Sequence, residues 1–336
     1  MLFRSMTESA TATPYAHLDP ETVLRLVDAT GLRTDARILP LNSYENRVYQ
    51  VGLEDDDPVV AKFYRPGRWS DAQILEEHAF TMELAELEIP VVPPIADEAG
   101  RTLHEAEGLR YVLYPRRGGR APDVEDLDAL RILSHQLARI HRVGALRPFR
   151  HRPRLTIEEF GHASREFLLA SGFVPPELRP AYETLTADLL ERIERDFPDP
   201  AAGTPLRLHG DCHLGNVLWR DEVPHFVDFD DARGGPAIQD LWMLLSGERA
   251  QRIAQLSEIL EAYEEFRSFD LSELPLIEPL RTLRILHHAA WIGRRWEDPA
   301  FPRAFPFFAD GRFWAEHVLA LREQLAALDE PPLAVY

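Results

Sequence analysis

The sequence predicts an α+β protein of two lobes: a small antiparallel sheet carrying one packed helix, and a larger, mainly helical unit. Three observations predict it. Strand-like apolar runs crowd into residues 36–64 and 102–114, with a single helical pattern, 70–88, between them. Pro115 and the Gly118-Gly119 pair then break the chain. Beyond that break, helical spacing dominates to the C-terminus. The expected divisions are a flexible tail over residues 1–17, an N-lobe over 18–115 and a C-lobe over 116–336.

Taken in order, residues 19–32 form a short amphipathic helix. Asp19 is placed to cap it, Pro20 suits its first turn, Gly31 closes it, and Val23, Leu24, Leu26 and Val27 make its apolar side. Ile38–Leu41 and Arg47–Val51 read as strands joined by Asn42-Ser-Tyr-Glu-Asn46, and the acidic turn Glu54–Asp57 leads to a third, Val59–Tyr64. The helix 70–88 is marked by the spacing of Ile74, Leu75, Phe80, Met82, Leu84 and Leu87 and stops before Pro90, Pro93 and Pro94. Two more strands lie within 102–114, the second being Leu109–Tyr114. Helices are then expected over 127–144, 158–171, 177–196, 237–264, 277–296 and 312–327. They are interrupted by two short apolar runs, Leu206–Leu208 and His225–Asp228.

Composition narrows the function classes. Of the 336 residues 45% are hydrophobic and 28% charged, as in an ordinary globular protein. A net charge of −19 argues against a nucleic-acid partner and against a polybasic membrane anchor. Any anionic ligand must therefore meet a local basic pocket. Cys212 stands alone, which excludes an internal disulfide and fits a cytoplasmic protein. No run is long enough for a signal peptide or a membrane span, and without a heptad or a long apolar seam the expected state is a monomer.

The chemistry concentrates in His209-Gly-Asp-Cys-His-Leu-Gly-Asn216, followed by Phe226-Val-Asp-Phe-Asp230. Phosphoryl transfer needs a carboxylate to orient the attacking hydroxyl and take its proton, oxygen ligands for Mg²⁺, and a cation to fix the phosphates. Asp211, Asn216, Asp228 and a lysine fill those roles, with the spacing of the kinase catalytic loop. The lysine is Lys62, a lone cation in the apolar strand Val59–Tyr64, where it needs a partner. Glu76 and Glu77 on the next helix are the candidates, Glu77 preferred. Competing readings are a structural polar turn at 209–216, a snorkelling edge-strand Lys62, and a transition-metal site from His209, Asp211, Cys212 and His213. Asp240 reads as structural, hydrogen-bonding the catalytic-loop backbone. His287, His288, Trp291 and Trp296 read as core and surface of the helical lobe, and Arg116, Arg117 and Arg120 as a solvated basic cluster.

These motifs resemble the aminoglycoside-phosphotransferase and choline-kinase branch of the protein-kinase-like superfamily, which carries His-Gly-Asp-x-x-x-x-Asn and then a Val-Asp-Phe-Asp-type strand. Within it, the sequence is similar to a group of bacterial kinases of protein serine and threonine residues. Leu41–Gln50, Lys62–Pro66, Gln73–His78, Val227–Arg233, Gln239–Leu245, Glu261–Phe266 and Arg295–Pro302 extend the match over about residues 18–333. The resemblance implies a protein-kinase-like two-lobed fold, ATP and Mg²⁺, and protein substrates in a bacterial stress response. It makes Asp211 the base, Asn216 and Asp228 the Mg²⁺ ligands with Asp228 also essential for activity, and Lys62 the phosphate contact. It lays Ser43 against ATP and makes Tyr111–Pro115, Tyr111 and Leu113 above all, the adenine hinge. Two departures stand out. The nucleotide loop has no Gly-x-Gly-x-x-Gly, so Asn42, Ser43 and Asn46 supply its turn and polar contacts. There is no Asp-Phe-Gly or Ala-Pro-Glu activation segment, so acceptor recognition falls to the helical lobe. The alternatives are a small-molecule kinase with an aminoglycoside, choline or homoserine-like acceptor, and a nucleotide-binding module without turnover.

Overall fold

The computed structural model describes residues 15, 17–123 and 125–334. The expected tail over 1–17 lies outside them except for Tyr15 and His17. Tyr15 is tied down: its hydroxyl donates to the Glu45 and Phe63 carbonyls at 3.1 and 3.3 Å.

Helix α1 (Pro20–Asp28) starts as its sequence dictates, with the Asp19 carboxylate accepting from the Thr22 N–H. Strands β1 (Thr34–Pro40), β2 (Arg47–Leu53), β3 (Val59–Phe63), β4 (His104–Ala106) and β5 (Leu109–Pro115) form an antiparallel sheet in the order β1-β2-β3-β5-β4. Helix α2 (Asp71–Glu86) opens on a reciprocal cap between Ser70 and Gln73. The alternation of the strands divides the sheet's faces. Val59, Ala61 and Phe63 of β3 and Leu109, Tyr111 and Leu113 of β5 pack on Val23, Leu26 and Val27 of α1. Tyr64 and Val112 face the other way and pack on Ile74 of α2.

The C-lobe contains α3 (Leu127–Gly144), α4 (Ala163–Ser171, entered through a π-helical turn, Glu158–His162) and α5 (Arg179–Asp196). Then come β6 (Leu206–Leu208), the hairpin β7 (Val217–Arg220) and β8 (Val223–Phe226), β9 (Arg233–Gly235), α6 (Ile238–Leu241) and α7 (Arg249–Glu264). Helices α8 (Ile277–Arg294), α9 (Ala300–Ala304) and α10 (Gly311–Ala327) complete it. One continuous core runs from Leu130 and Leu137 of α3 through Leu208 and Phe229 to Leu286 of α8 and Trp314 of α10.

Several elements differ from expectation; β9 and α9, for instance, were not foreseen. The helix foreseen over 237–264 is broken: a 3₁₀ turn, Trp242–Leu244, follows α6, and Gly247 at φ 76° precedes α7. The foreseen strand through Asp228 ends at Phe226, and Asp228 lies in a turn. Strand β7 was not foreseen, because its hairpin turns on Asp221-Glu222, both at positive φ, where Asn-Gly is the usual signal.

Candidate active site

The two lobes enclose a cleft of about 930 Å³. Its roof is the loop 42–46 with β2 and β3, its floor residues 210–218 and 227–233, and its outer wall one face of α8.

The floor is built on Asp240. This fully buried carboxylate accepts from the His209 and Gly210 N–H groups at 2.9 Å each and meets His141 Nε2 at 3.0 Å. Burial works to raise its pKa, but those contacts win and hold it below the ordinary carboxylate value. Asp240 is therefore the structural residue the sequence suggested. Gly210 adopts φ 86°, and a side chain there would run into the Asp231 carbonyl oxygen, so only glycine lets the loop lie against the 229–231 turn. His209 Nε2 meets the Val227 carbonyl at 2.9 Å, and Asn216 Nδ2 donates to the Asp211 carbonyl at 3.0 Å. The Asp211-to-Asn216 spacing of the kinase catalytic loop thus has a direct bond behind it.

Asp228 sits at φ 60°, ψ 62°, a left-handed conformation that aims its side chain, 53% exposed, into the cleft. Lys62 reaches it from the roof: Nζ lies 2.9 Å from Asp228 Oδ1 and 3.2 Å from Asp230 Oδ1. Burial would lower the Lys62 pKa, but these two carboxylates outweigh it and hold the amine well above its ordinary value. Asp230, itself buried, is further held by Arg68 and by Asn46 Nδ2 at 3.2 Å.

The expected Lys62–Glu77 ion pair is not formed. Glu77 is 1% exposed and its Oε2 has no hydrogen-bond partner among the described residues. Burial pushes its carboxyl up to about 7, against the pull of Lys62. Asp228 and Asp230 are simply closer to the amine. Glu76 has a separate role: its carboxylate accepts the N–H groups of Arg150, His151 and Arg152 at 2.6–2.8 Å.

Neither Tyr111 nor Leu113 lines the cleft. Their side chains point into the α1 core, on the sheet face turned from the cleft. In the backbone, Tyr111 pairs with His104 and the Leu113 carbonyl accepts the Ile95 N–H at 2.7 Å. Tyr114, Pro115 and Arg117 line the cleft instead, beside Leu41, Val48 and Val60. Ser43 does line the cleft, with its hydroxyl donating to the Asn46 carbonyl at 2.9 Å.

Several lining residues were missed. His287, His288 and Trp291, expected as core and surface of the helical lobe, face the cleft; Trp296 does not line it. Arg284 donates to Asp211 Oδ1. Glu45 in the roof loop accepts from Trp291 Nε1 at 2.6 Å and pairs with Arg295 and Arg65. Arg47 and Arg65 both pair with buried Asp298. The only sequence signal for these was the recurrence of basic and aromatic residues at helical spacing through 284–295.

A model described as the phosphotransferase enzyme family matches residues 37–277. The chain belongs to that family. Stress response kinase A of Escherichia coli strain K12 is 44% identical to this phosphotransferase over 316 residues, covering 94% of this chain and 95% of the relative. The serine/threonine protein kinase RdoA of Salmonella typhimurium strain LT2 is 45% identical over the same extent. Among solved structures, amicoumacin kinase hAmiN in complex with AMP-PNP, Ca²⁺ and Ami superposes with a TM-score of 0.71 at 17% identity, covering 94% of this chain and 95% of that one. A microcompartment-associated aminopropanol kinase gives 0.68 at 18%, covering 94% and 100%. The phosphotransferase therefore has the kinase-like two-lobed fold. Among its described residues no helix is long and apolar enough to cross a membrane.

Proposed function

We propose that this phosphotransferase is an ATP- and Mg²⁺-dependent kinase of protein serine and threonine hydroxyls, its own among them, acting in a bacterial stress response. The observation that carries the chemistry is the meeting of Lys62 from one lobe with Asp228 from the other, in the cleft that also holds Asp211 and Asn216. The choice of a protein acceptor rests on the 44–45% identity to stress response kinase A and to RdoA.

Each residue then has a task. The apolar slot of Leu41, Val48, Val60, Val92, Leu218 and Val227 suits a flat base, with Tyr114 and Pro115 at its inner edge. Lys62 holds the phosphates. Asp228 and Asn216 offer a carboxylate and an amide oxygen facing the cleft, a hard donor pair that fits a Mg²⁺ keeping its remaining positions for water and phosphate. When bound, the ion neutralises charge on the β- and γ-phosphates. Asp211 orients the acceptor hydroxyl and takes its proton as the bond from that oxygen to the γ-phosphorus forms and the bond to the ADP oxygen breaks.

The test is γ-phosphate transfer from labelled ATP to protein in Mg²⁺, with wild type and Asp211→Asn side by side. Asp211→Asn should bind ATP and lose transfer by a factor of about 10² or more. Full activity in that variant would remove Asp211 as the base. Efficient turnover of one small alcohol from a metabolite panel, with no protein labelling, would make the acceptor a small molecule.

A further inference from the structure

Arg284 has an unusual partner. Three other arginines lining the cleft are held by structural acids: Arg68 by Asp230 and Asp231, Arg233 by Asp231, Arg295 by Glu45. Arg284, 36% exposed, has as its only carboxylate partner among the described residues the proposed base, Asp211. The other oxygen of that carboxylate faces His213, whose Nε2 lies 3.6 Å away. His213 Nδ1 accepts the Gly215 N–H at 3.0 Å, which assigns the ring proton to Nε2, on the Asp211 side. A general base must offer a free lone pair to the hydroxyl it deprotonates. Here Oδ1, the oxygen that takes the guanidinium, is capped.

The surrounding wall has the opposite polarity to the chain's net charge of −19. Further along α8, His287 stacks on Phe160 and is pushed down to about 3 by burial, so it is neutral near pH 7, and His288 is lowered by burial too. Arg294 is exposed at the outer end, bonded to the Ala163 carbonyl. Of the acids lining the cleft near this wall, Glu159 lies 3.8 Å from Arg233 and Glu45 is tied to Trp291 and Arg295. A cationic acceptor would bring its charge against Arg284 and Arg294. An acceptor with an anionic group beside its hydroxyl would instead offer Arg284 a second carboxylate or phosphate.

We propose that Arg284 is the acceptor-specificity residue of this site: an acceptor bearing a carboxylate or phosphate next to its hydroxyl draws the guanidinium away from Asp211, so the same exchange selects the acceptor and uncovers the base. The inference rests on the phosphotransferase reading above and deepens it. The anionic group has two sources, an acidic segment of protein around a serine or threonine, or a small carboxylated or phosphorylated alcohol. In either case the guanidinium stays on Oδ1 of the base in the free enzyme, which limits transfer of phosphate to water.

The experiment uses the full chain as wild type, Arg284→Gln and Arg284→Lys, with ATP–Mg²⁺ binding measured by calorimetry for each. Transfer is followed to serine peptides flanked by Glu, by Ala and by Lys, and to glycerate and glycerol phosphate against glycerol. Wild type should favour the anionic member of one series by about tenfold or more in kcat/KM. Arg284→Gln should bring that preference to within about twofold, chiefly through KM, and raise acceptor-free ATP hydrolysis several-fold; Arg284→Lys should keep part of the preference. Preference in the peptide series identifies a protein acceptor, and preference in the alcohol series a small one. The proposal is overturned if Arg284→Gln keeps the preference, if it loses kcat equally on every acceptor including water (a contact to the transferring phosphate), or if ATP binds but the variant and wild type hydrolyse it alike. Absence of ATP binding in wild type would instead sink the phosphotransferase reading itself.

Discussion

Replacing Glu77 by Gln removes one buried charge without changing the side chain's shape. In the fold Glu77 is surrounded by Lys62, Asp228, Asp230 and Arg152, with burial the largest influence, and its carboxyl titrates at about 7 instead of 4.5. In the unfolded chain it ionises near its ordinary value. A pKa raised by folding means that protonation favours the native state. That contribution is complete below about pH 4.5, is lost as pH climbs to about 7, and is absent above. At about 1.36 kcal/mol per pH unit, the rise from 4.5 to about 7 corresponds to about 3 kcal/mol. Glutamine never acquires the charge, so Glu77→Gln and wild type should unfold alike in urea at about pH 4.5, and the variant should be the more stable by about 2–3 kcal/mol at about pH 8.5. Parallel stability curves for the two proteins would refute the argument. Wild type gaining on the variant as pH rises would show Glu77 ionised and paired with Lys62 in solution.

Asp240→Ala should destabilise the protein by about 3–5 kcal/mol in urea unfolding and abolish transfer, because it strands His141 and the His209 and Gly210 N–H groups in the core. Gly210→Ala should cost about 2 kcal/mol or more by the same measurement, since φ 86° and the nearby Asp231 carbonyl both oppose a side chain. Lys62→Met should weaken ATP–Mg²⁺ binding by about tenfold or more in calorimetry while leaving Asp230 held by Arg68 and Asn46.

What could be read from the sequence was whatever is contiguous. The catalytic loop carries its chemistry in eight successive residues, His209–Asn216, and Lys62 announces itself as one cation inside an apolar strand. What could not be read depends on how elements pack. Alternation separates Tyr111 and Leu113 from Val112 and Tyr114, but which face meets the cleft is decided by α1 covering the first pair. The choice of partner for Lys62 is likewise a matter of where α2 and the 228–230 turn lie, and no spacing encodes it. Arg281, Arg284 and Arg294 look equivalent along α8, and only the helix's rotation against the floor brings Arg284 to Asp211.

The roof loop has a mechanical consequence. A glycine-rich loop can flex alone over its nucleotide. This one is moored at Glu45 to Trp291 and Arg295, while Arg47 and Arg65 beside it hold Asp298. Swinging the small lobe open about the Pro115–Gly119 connection has to release all of those moorings together. Loop and lobe thus become one moving part, and nucleotide escape should follow the rate at which a single ion-pair cluster lets go. Stopped-flow release would then show one phase that quickens with salt.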